Sequence, residues 1–290
     1  MNFIDPFINQ RPQGLLFHYT TADGMLKILR ESSIWASSAY HLNDAAEFRY
    51  ALNLIKDRLR LRLKSEHGPM NAAYGGLLSS LQGMTSSIQV FIASFSEHGD
   101  VLSQWLAYSG SNGYSLSIES QELDVAIESG FRLVRCVYKL EEQTALAEAF
   151  IDAYTNAPIE ADDRTSVLTK ALVVAAAIKH GGFAMECEWR LVKPVVFTLQ
   201  EMPAVLFRPG RNGIVPYVNV PLSSGGAEYQ PHEIYIGPNA DMPAASAAFR
   251  TFLNCCRSSQ SGGIESESAI PRRRFTEQIS VKESETPYRP

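Results

Sequence analysis

Residues 15–40, LLFHYTTADGMLKILRESSIWASSAY, decide the fold class. Leu15 to Tyr19 is a short apolar and aromatic run of the kind that pairs in a sheet. Thr20 and Thr21 offer hydroxyls that cap a helix start, and Met25, Leu26, Ile28 and Leu29 follow at helical spacing. Trp35 to Tyr40 is extended again. The order is strand, helix, strand, and it leaves His18, Tyr19 and Thr20 where a strand gives way to a helix.

Outward from this stretch the period keeps switching. Phe48, Leu52, Ile55, Leu59 and Leu63 predict an amphipathic helix of about five turns. Gly68 to Gly83 is rich in Gly, Ser and Asn and reads as loops around a short helix. Ile88 to Ser96, Tyr114 to Ile118 and Phe131 to Tyr138 read as strands, with about two helical turns over Leu102 to Tyr108. Glu141 to Lys179 is helical, interrupted at Pro158 to Asp163, with Val167, Leu168, Ala171, Leu172, Ala175 and Ile178 on one stripe. Strands return at Glu188 to Phe197, Gly213 to Val220 and Glu233 to Gly237, before a closing helix, Pro243 to Cys256. Strands at both ends and helices between them predict an α+β fold. Helices pack on a mostly antiparallel sheet core, with the helical middle, 141–180, as an insertion or cover. One domain is expected over 14–256, then a flexible Ser/Gly/Arg-containing linker at 257–274 and a C-terminal strand or tail at 275–290.

Composition narrows the function classes. The 290 residues are 45% hydrophobic and 20% charged, which excludes collagen-like, coiled-coil and wholly disordered chains. The longest apolar run, Ala171 to Ile178, is far short of the ~20 residues of a membrane span, and Met1 to Gln13 has no signal-like apolar region. Cysteines at 136, 187, 255 and 256 fit neither a disulfide framework nor a Cys-x-x-Cys metal spacing, so reduced thiols and a cytoplasmic location are expected. The 26 basic and 31 acidic side chains give a net charge of −5, which argues against binding built on nonspecific phosphate contacts. Arg58, Arg60, Arg62 and Lys64 read as the solvated face of a helix, so there is no strong nucleic-acid signal.

No Gly-x-Gly-x-x-Gly follows a strand, and no Gly-Lys-Ser/Thr, His-Glu-x-x-His or Gly-x-Ser-x-Gly is present. What remains is a set of polar residues at strand ends. His18 is either a ligand-facing donor or a satisfied core histidine. His41, Asp44 and Glu47 recur at three-residue spacing and suit either a divalent metal or, better, helix capping by Asn43 or Asp44 with Glu47. Ser94 and Ser96 share one strand face, where they meet a polar ligand or satisfy backbone. Glu186, Glu188 and Arg190 project from one face of a strand opposite Cys187 and Trp189. Two carboxylates so placed repel, which raises one pKa of the pair unless Arg190 or a ligand offsets them and suggests a cleft; a solvated Arg-Glu face is the alternative.

The ordered motifs resemble those of the bacterial domain of unknown function 2971 family. They are Phe17-His18-Tyr19-Thr20, Ile34-Trp35-Ala36-Ser37, Leu42-Asn43-Asp44 with Glu47, Ser94-Phe95-Ser96 and Gln104-Trp105 with Tyr108 and Gly113. Glu186-Cys187-Glu188-Trp189-Arg190-Leu191, Ile236-Gly237-Pro238 and Pro287-Tyr288-Arg289 complete the set. A more distant likeness is to the ADP-ribosyltransferase fold, whose members bind NAD without a glycine-rich fingerprint. That likeness implies NAD as substrate, with His18, Tyr19, Thr20, Trp35, Tyr40, Ser94 or Ser96, and Arg190 as the residues around it. His18 would hold the adenosine ribose and Thr20 orient the dinucleotide, while Trp35 or Tyr40 stacks near nicotinamide. Glu188 would stabilise the oxocarbenium-like transition state, and Glu186 would activate the acceptor.

The resulting expectation is an NAD-dependent ADP-ribosyltransferase or NAD glycohydrolase, as a toxin or phage-defence effector, acting on an unidentified macromolecular or small-molecule acceptor. The alternatives are a non-catalytic ligand- or nucleic-acid-binding module on the same scaffold, and a metal-dependent nuclease using His41, Asp44, Glu47 and Asp100. No metal site and no membrane partner are expected for the leading reading.

Overall fold

A computed structural model describes residues 10–41, 45–65, 68–83, 88–109, 112–155, 164–197, 204–210, 213–224, 227–258 and 279–286. In chain order the principal elements are β1 (Leu16–Thr21), α1 (Ala22–Glu31), β2 (Ser33–Ser38), α2 (Ala45–Ser65), α3 (Pro69–Gln82), β3 (Ile88–Ser96), β4 (Gly113–Ile118) and α4 (Asp124–Glu128). There follow β5 (Arg132–Arg135), α5 (Leu140–Thr155), α6 (Arg164–Ala177), β6 (Glu188–Val196), β7 (Leu206–Gly210), β8 (Gly213–Pro221), β9 (Glu233–Ile236), α7 (Met242–Ser258) and β10 (Ser280–Glu283). The chain is mixed α and β with mostly antiparallel strand pairing; β9 with β10 is a parallel pair. Among the described residues no helix is long and apolar enough to cross a membrane.

The chain folds as two compact units. Trp35–Ser94 and Gly130–Val218 build the first. Its core is helical on one side because four helices each present apolar residues at helical spacing. Phe48, Leu52, Ile55 and Leu59 of α2 meet Tyr74, Leu77 and Leu81 of α3 and Leu146, Ala147, Phe150 and Ile151 of α5. Helix α6 is apolar nearly all round, with Val173 to Ile178 all buried, as a central helix must be. In the sheet of this unit β6 pairs antiparallel with β5, Trp189 opposite Arg135, and also pairs with β3. β2 pairs antiparallel with β3, and β7 with β8.

The second unit is built from Pro12–Ile34, Phe95–Ser129 and the residues from Asn219 onward. β1 pairs antiparallel with β4 over its whole length, β4 with β9, and Phe17 lies opposite Ser96. Phe17, Tyr19 and Trp105 form its aromatic core. Thr21, the residue before α1, accepts from the Gly24 amide, which is the cap the sequence predicts.

Three differences from the sequence reading have physical causes. Pro69–Gln82 is one 14-residue helix where loops around a short helix are predicted, because burial of Tyr74, Leu77 and Leu81 outweighs the propensity of its glycines and serines. β5 is four residues long where a strand over Phe131 to Tyr138 is predicted, since Val137 leaves the ladder to bridge Ile178. β7 has no counterpart in the reading, as its residues are all exposed or half-buried and carry no period-2 apolar pattern. Most of the 257–274 segment read as a linker, Pro287-Tyr288-Arg289 and Leu42-Asn43-Asp44 lie outside the described residues.

Candidate functional site

The site lies within the first unit, where α6 ends and β6 begins. α6 is too apolar to stop at a polar surface, so the residue that follows Ile178 is carried inside: Lys179 has no exposed surface. Its backbone is pinned on both sides. The Lys179 amide donates to the Val137 carbonyl at 3.1 Å, and the Lys179 carbonyl accepts from the Gln143 side chain at 2.7 Å.

The chain then turns through Gly181–Glu186, a 3-10 segment opened by His180, whose ring accepts from the Gly182 amide. Cys187 closes the turn in the left-handed region at φ 42, uncommon for a non-glycine residue, before β6 starts. This kink brings two carboxylates to the ammonium of Lys179, which donates to Glu186 and, at 2.6 Å, to Oε2 of Glu188. Arg190, two residues along β6, donates from Nε to Glu188 Oε1 at 2.8 Å and from its second terminal nitrogen to Oε2 at 3.1 Å. Its other terminal nitrogen donates to the Ala176 carbonyl at 2.9 Å, at the C-terminal end of α6 where a cation is favoured. Glu47 of α2 lies 3.7 Å from the same guanidinium. All five side chains are buried.

Such a cluster costs desolvation for every charge, which only mutual pairing offsets. Burial by itself would raise the carboxyl pKa of Glu188; Arg190 and Lys179 outweigh it and lower the value to about 2. Glu188 is therefore ionised at any physiological pH. Burial pushes the neighbouring Cys136 thiol and Tyr138 phenol up, so both stay protonated. The Tyr138 hydroxyl accepts from the Glu188 amide at 2.8 Å and helps fix the start of the strand. The Lys179 ammonium sits 5.0 Å from the ring centroid of Phe183, which with Met185 faces outward from the 3-10 turn.

The sequence-read residues fall as follows. Glu188 and Arg190 share β6 and pair as the alternation predicts, whereas Glu186 lies in the 3-10 turn before the strand and joins the buried cluster through Lys179, not by alternation along a strand. Trp35 and Tyr40 belong to the same unit: Trp35 stacks near Tyr217, and Tyr40 is exposed with its ring edge on Phe48. Ser94 ends the first unit. His18, Tyr19, Thr20 and Ser96 belong to the second. There the His18 ring lies 5.7 Å from that of Phe95, the Tyr19 hydroxyl donates to the His98 carbonyl, and Ser96 accepts from the His98 amide. Asp100 is engaged by Trp105 Nε1, Ser284, the Glu285 amide and Thr286. Among the described residues no group of three or more His, Cys, Asp or Glu side chains is placed to hold a metal ion.

Lys179 is the member of the cluster that sequence reasoning missed. Its signal is the lysine that ends an eight-residue apolar run, a position too deep for a solvated charge. The basic run of α2 is also explained: Arg58 and Arg62 both engage Glu148 of α5, and Arg62 reaches Asp152.

A family model described as Protein of unknown function (DUF2971) matches residues 104–191. The match takes in Gln104-Trp105, Gly113 and the whole Glu186–Leu191 motif, and supports the family likeness read from the ordered motifs. No curated protein and no solved structure matches the chain.

Proposed function

We propose that this chain cleaves the bond between nicotinamide and ribose in NAD, as an ADP-ribosyltransferase or NAD glycohydrolase, with Glu188 as the carboxylate that stabilises the sugar cation. The observation that carries the reading is the state of Glu188: buried beside Glu186, yet held ionised at a pKa of about 2 by Arg190 and Lys179. A fixed negative charge in a water-poor site suits an oxocarbenium-like transition state and does not suit proton donation. In the reaction the C1′–N bond breaks and nicotinamide leaves with the bonding electrons. The acceptor, water or a nucleophile on a second molecule, forms the new bond to C1′ and passes its proton to Glu186.

Access requires the Gly181–Glu186 turn to move aside, because it carries Glu186 and its Phe183 ring lies against Lys179. The same closure favours a second reading. With both Glu188 oxygens occupied by cations, the cluster also suits a structural clamp in a ligand- or nucleic-acid-binding module.

Nicotinamide release from NAD by the purified chain is the test, with Glu188→Gln and the charge-preserving Glu188→Asp alongside and thermal melts to verify folding. Release by the wild type, at least ~100-fold slower in folded Glu188→Gln, supports the enzyme. Folded wild-type protein that releases no nicotinamide, with or without added cell lysate as acceptor, rejects it in favour of the binding module.

A further inference from the structure

We propose that Arg208, Ser37, Trp35 and Tyr217 form a phosphate-binding subsite in the first unit. Trp35 and Ser37 alternate along β2 and so share one face of it. Arg208 on β7 lies opposite Val215, and Tyr217, two residues further along β8, lies opposite Leu206, so Arg208 and Tyr217 share a face of the hairpin.

Where these faces meet, the Trp35 and Tyr217 rings stand 4.7 Å apart at 42°, and the Arg208 guanidinium carbon lies 5.4 Å from the Trp35 ring centroid. One terminal nitrogen of Arg208 donates to Ser37 Oγ at 3.1 Å, and the other reaches the Pro209 carbonyl at 3.5 Å. Its Nε is buried without a hydrogen-bond acceptor. Among the described residues no carboxylate pairs with this guanidinium, whereas Arg58, Arg60, Arg62 and Arg190 each engage one.

The chemistry selects the ligand. Arg208 is oriented by an aromatic face and a hydroxyl, so its fork is preorganised for an oxyanion and is not spent on an internal ion pair. The Ser37 hydroxyl accepts from Arg208, which leaves its own hydrogen to donate. Guanidinium edge and hydroxyl together present donors out of one plane, the array that a tetrahedral phosphate fills and a flat carboxylate does not. The aromatic pair shields the contact from water and strengthens it. The assignment does not rest on the chemistry at Glu188.

Intrinsic tryptophan fluorescence of the full chain, titrated with inorganic phosphate and separately with adenosine 5′-monophosphate, tests the subsite. Trp35 is half-buried while Trp105 and Trp189 are buried, so Trp35 is placed to report. Saturable binding is expected, weakened at least about tenfold in Arg208→Ala and by less in Arg208→Lys, which keeps the charge and loses the fork. Ser37→Ala, which removes no charge, is expected to weaken it as well. Tighter binding of the nucleotide than of inorganic phosphate assigns a nucleotide's phosphate, and equal binding assigns the free ion. No saturable change with either, or an affinity unaltered in folded Arg208→Ala, overturns the proposal. Phosphate binding that persists while NAD is not cleaved leaves this subsite standing and rejects only the enzyme.

Discussion

The ammonium of Lys179 lies 2.6 Å from Oε2 of Glu188 and donates to Glu186 as well, so one fully buried cation serves two buried carboxylates. Replacing it by Met keeps the volume, takes the cation from Glu186 and leaves Glu188 to Arg190. A loss of about 3–5 kcal/mol is expected for Lys179→Met, the usual cost of removing one partner from a buried ion pair. Denaturant unfolding measures it. Adding Glu186→Gln to that variant is expected to recover part of the loss, and a midpoint unmoved by Lys179→Met would mean that the carboxylates are hydrated.

The folded pKa of Glu188, about 2, is below the 4.5 of an unperturbed glutamate. A depressed carboxyl binds fewer protons folded than unfolded, so its stabilisation is complete above about 4.5 and is lost as pH falls toward 2. Thermal melts of the wild type are expected to drop across that window. In Glu188→Gln the drop is shallower, and parallel curves for the two proteins would contradict the assignment.

Glu122 carries the opposite sign. Burial, with the Glu119 charge adding to it, raises its carboxyl to about 7 despite the hydrogen bond from the Glu119 amide. A raised carboxyl stabilises the fold below its unfolded value of 4.5 and loses that contribution as pH climbs through 7. Glu122→Gln, which keeps an acceptor for the amide, is therefore expected to gain stability relative to wild type at pH 8 over pH 4. A difference between the two proteins that does not vary with pH would count against it.

Gly237 packs flat on a buried tryptophan. A Cβ there would stand 2.8 and 2.9 Å from ring carbons of Trp105 and 3.0 Å from the Gly113 carbonyl, whose hydrogen bond with the Gly237 amide joins the two segments. Gly237→Ala is expected to cost about 1–3 kcal/mol by overpacking. A drop in melting temperature without loss of cooperativity is the signature; no change would show that Trp105 has room to shift.

The strand-helix-strand order at residues 15–40 and the helical stripes were legible because one buried face imposes one period on the sequence. The pairing of Glu188 with Arg190 was legible for the same reason, while Glu186 joins them through a turn that strand alternation does not describe. What could not be read is what opposes them. Lys179 comes from the end of another helix and meets Glu188 through a turn whose geometry depends on a left-handed cysteine, a feature without local sequence signal. Glu47 reads as an N-terminal helix residue because its other role depends on Arg190, far along the chain. Pro69–Gln82 reads as loops around a short helix because its glycines speak locally while its burial is tertiary.

The left-handed backbone at Cys187 bears on which sequences can keep this site. A β-branched residue at 187 would resist that conformation, turn the start of β6 and separate Glu186 from Glu188, whereas Gly or Asn would adopt it at less cost than Cys. The position most restrictive for the charge cluster is thus one whose own side chain carries no charge. Its tolerated alternatives follow from a torsion angle and not from the reactivity of a thiol.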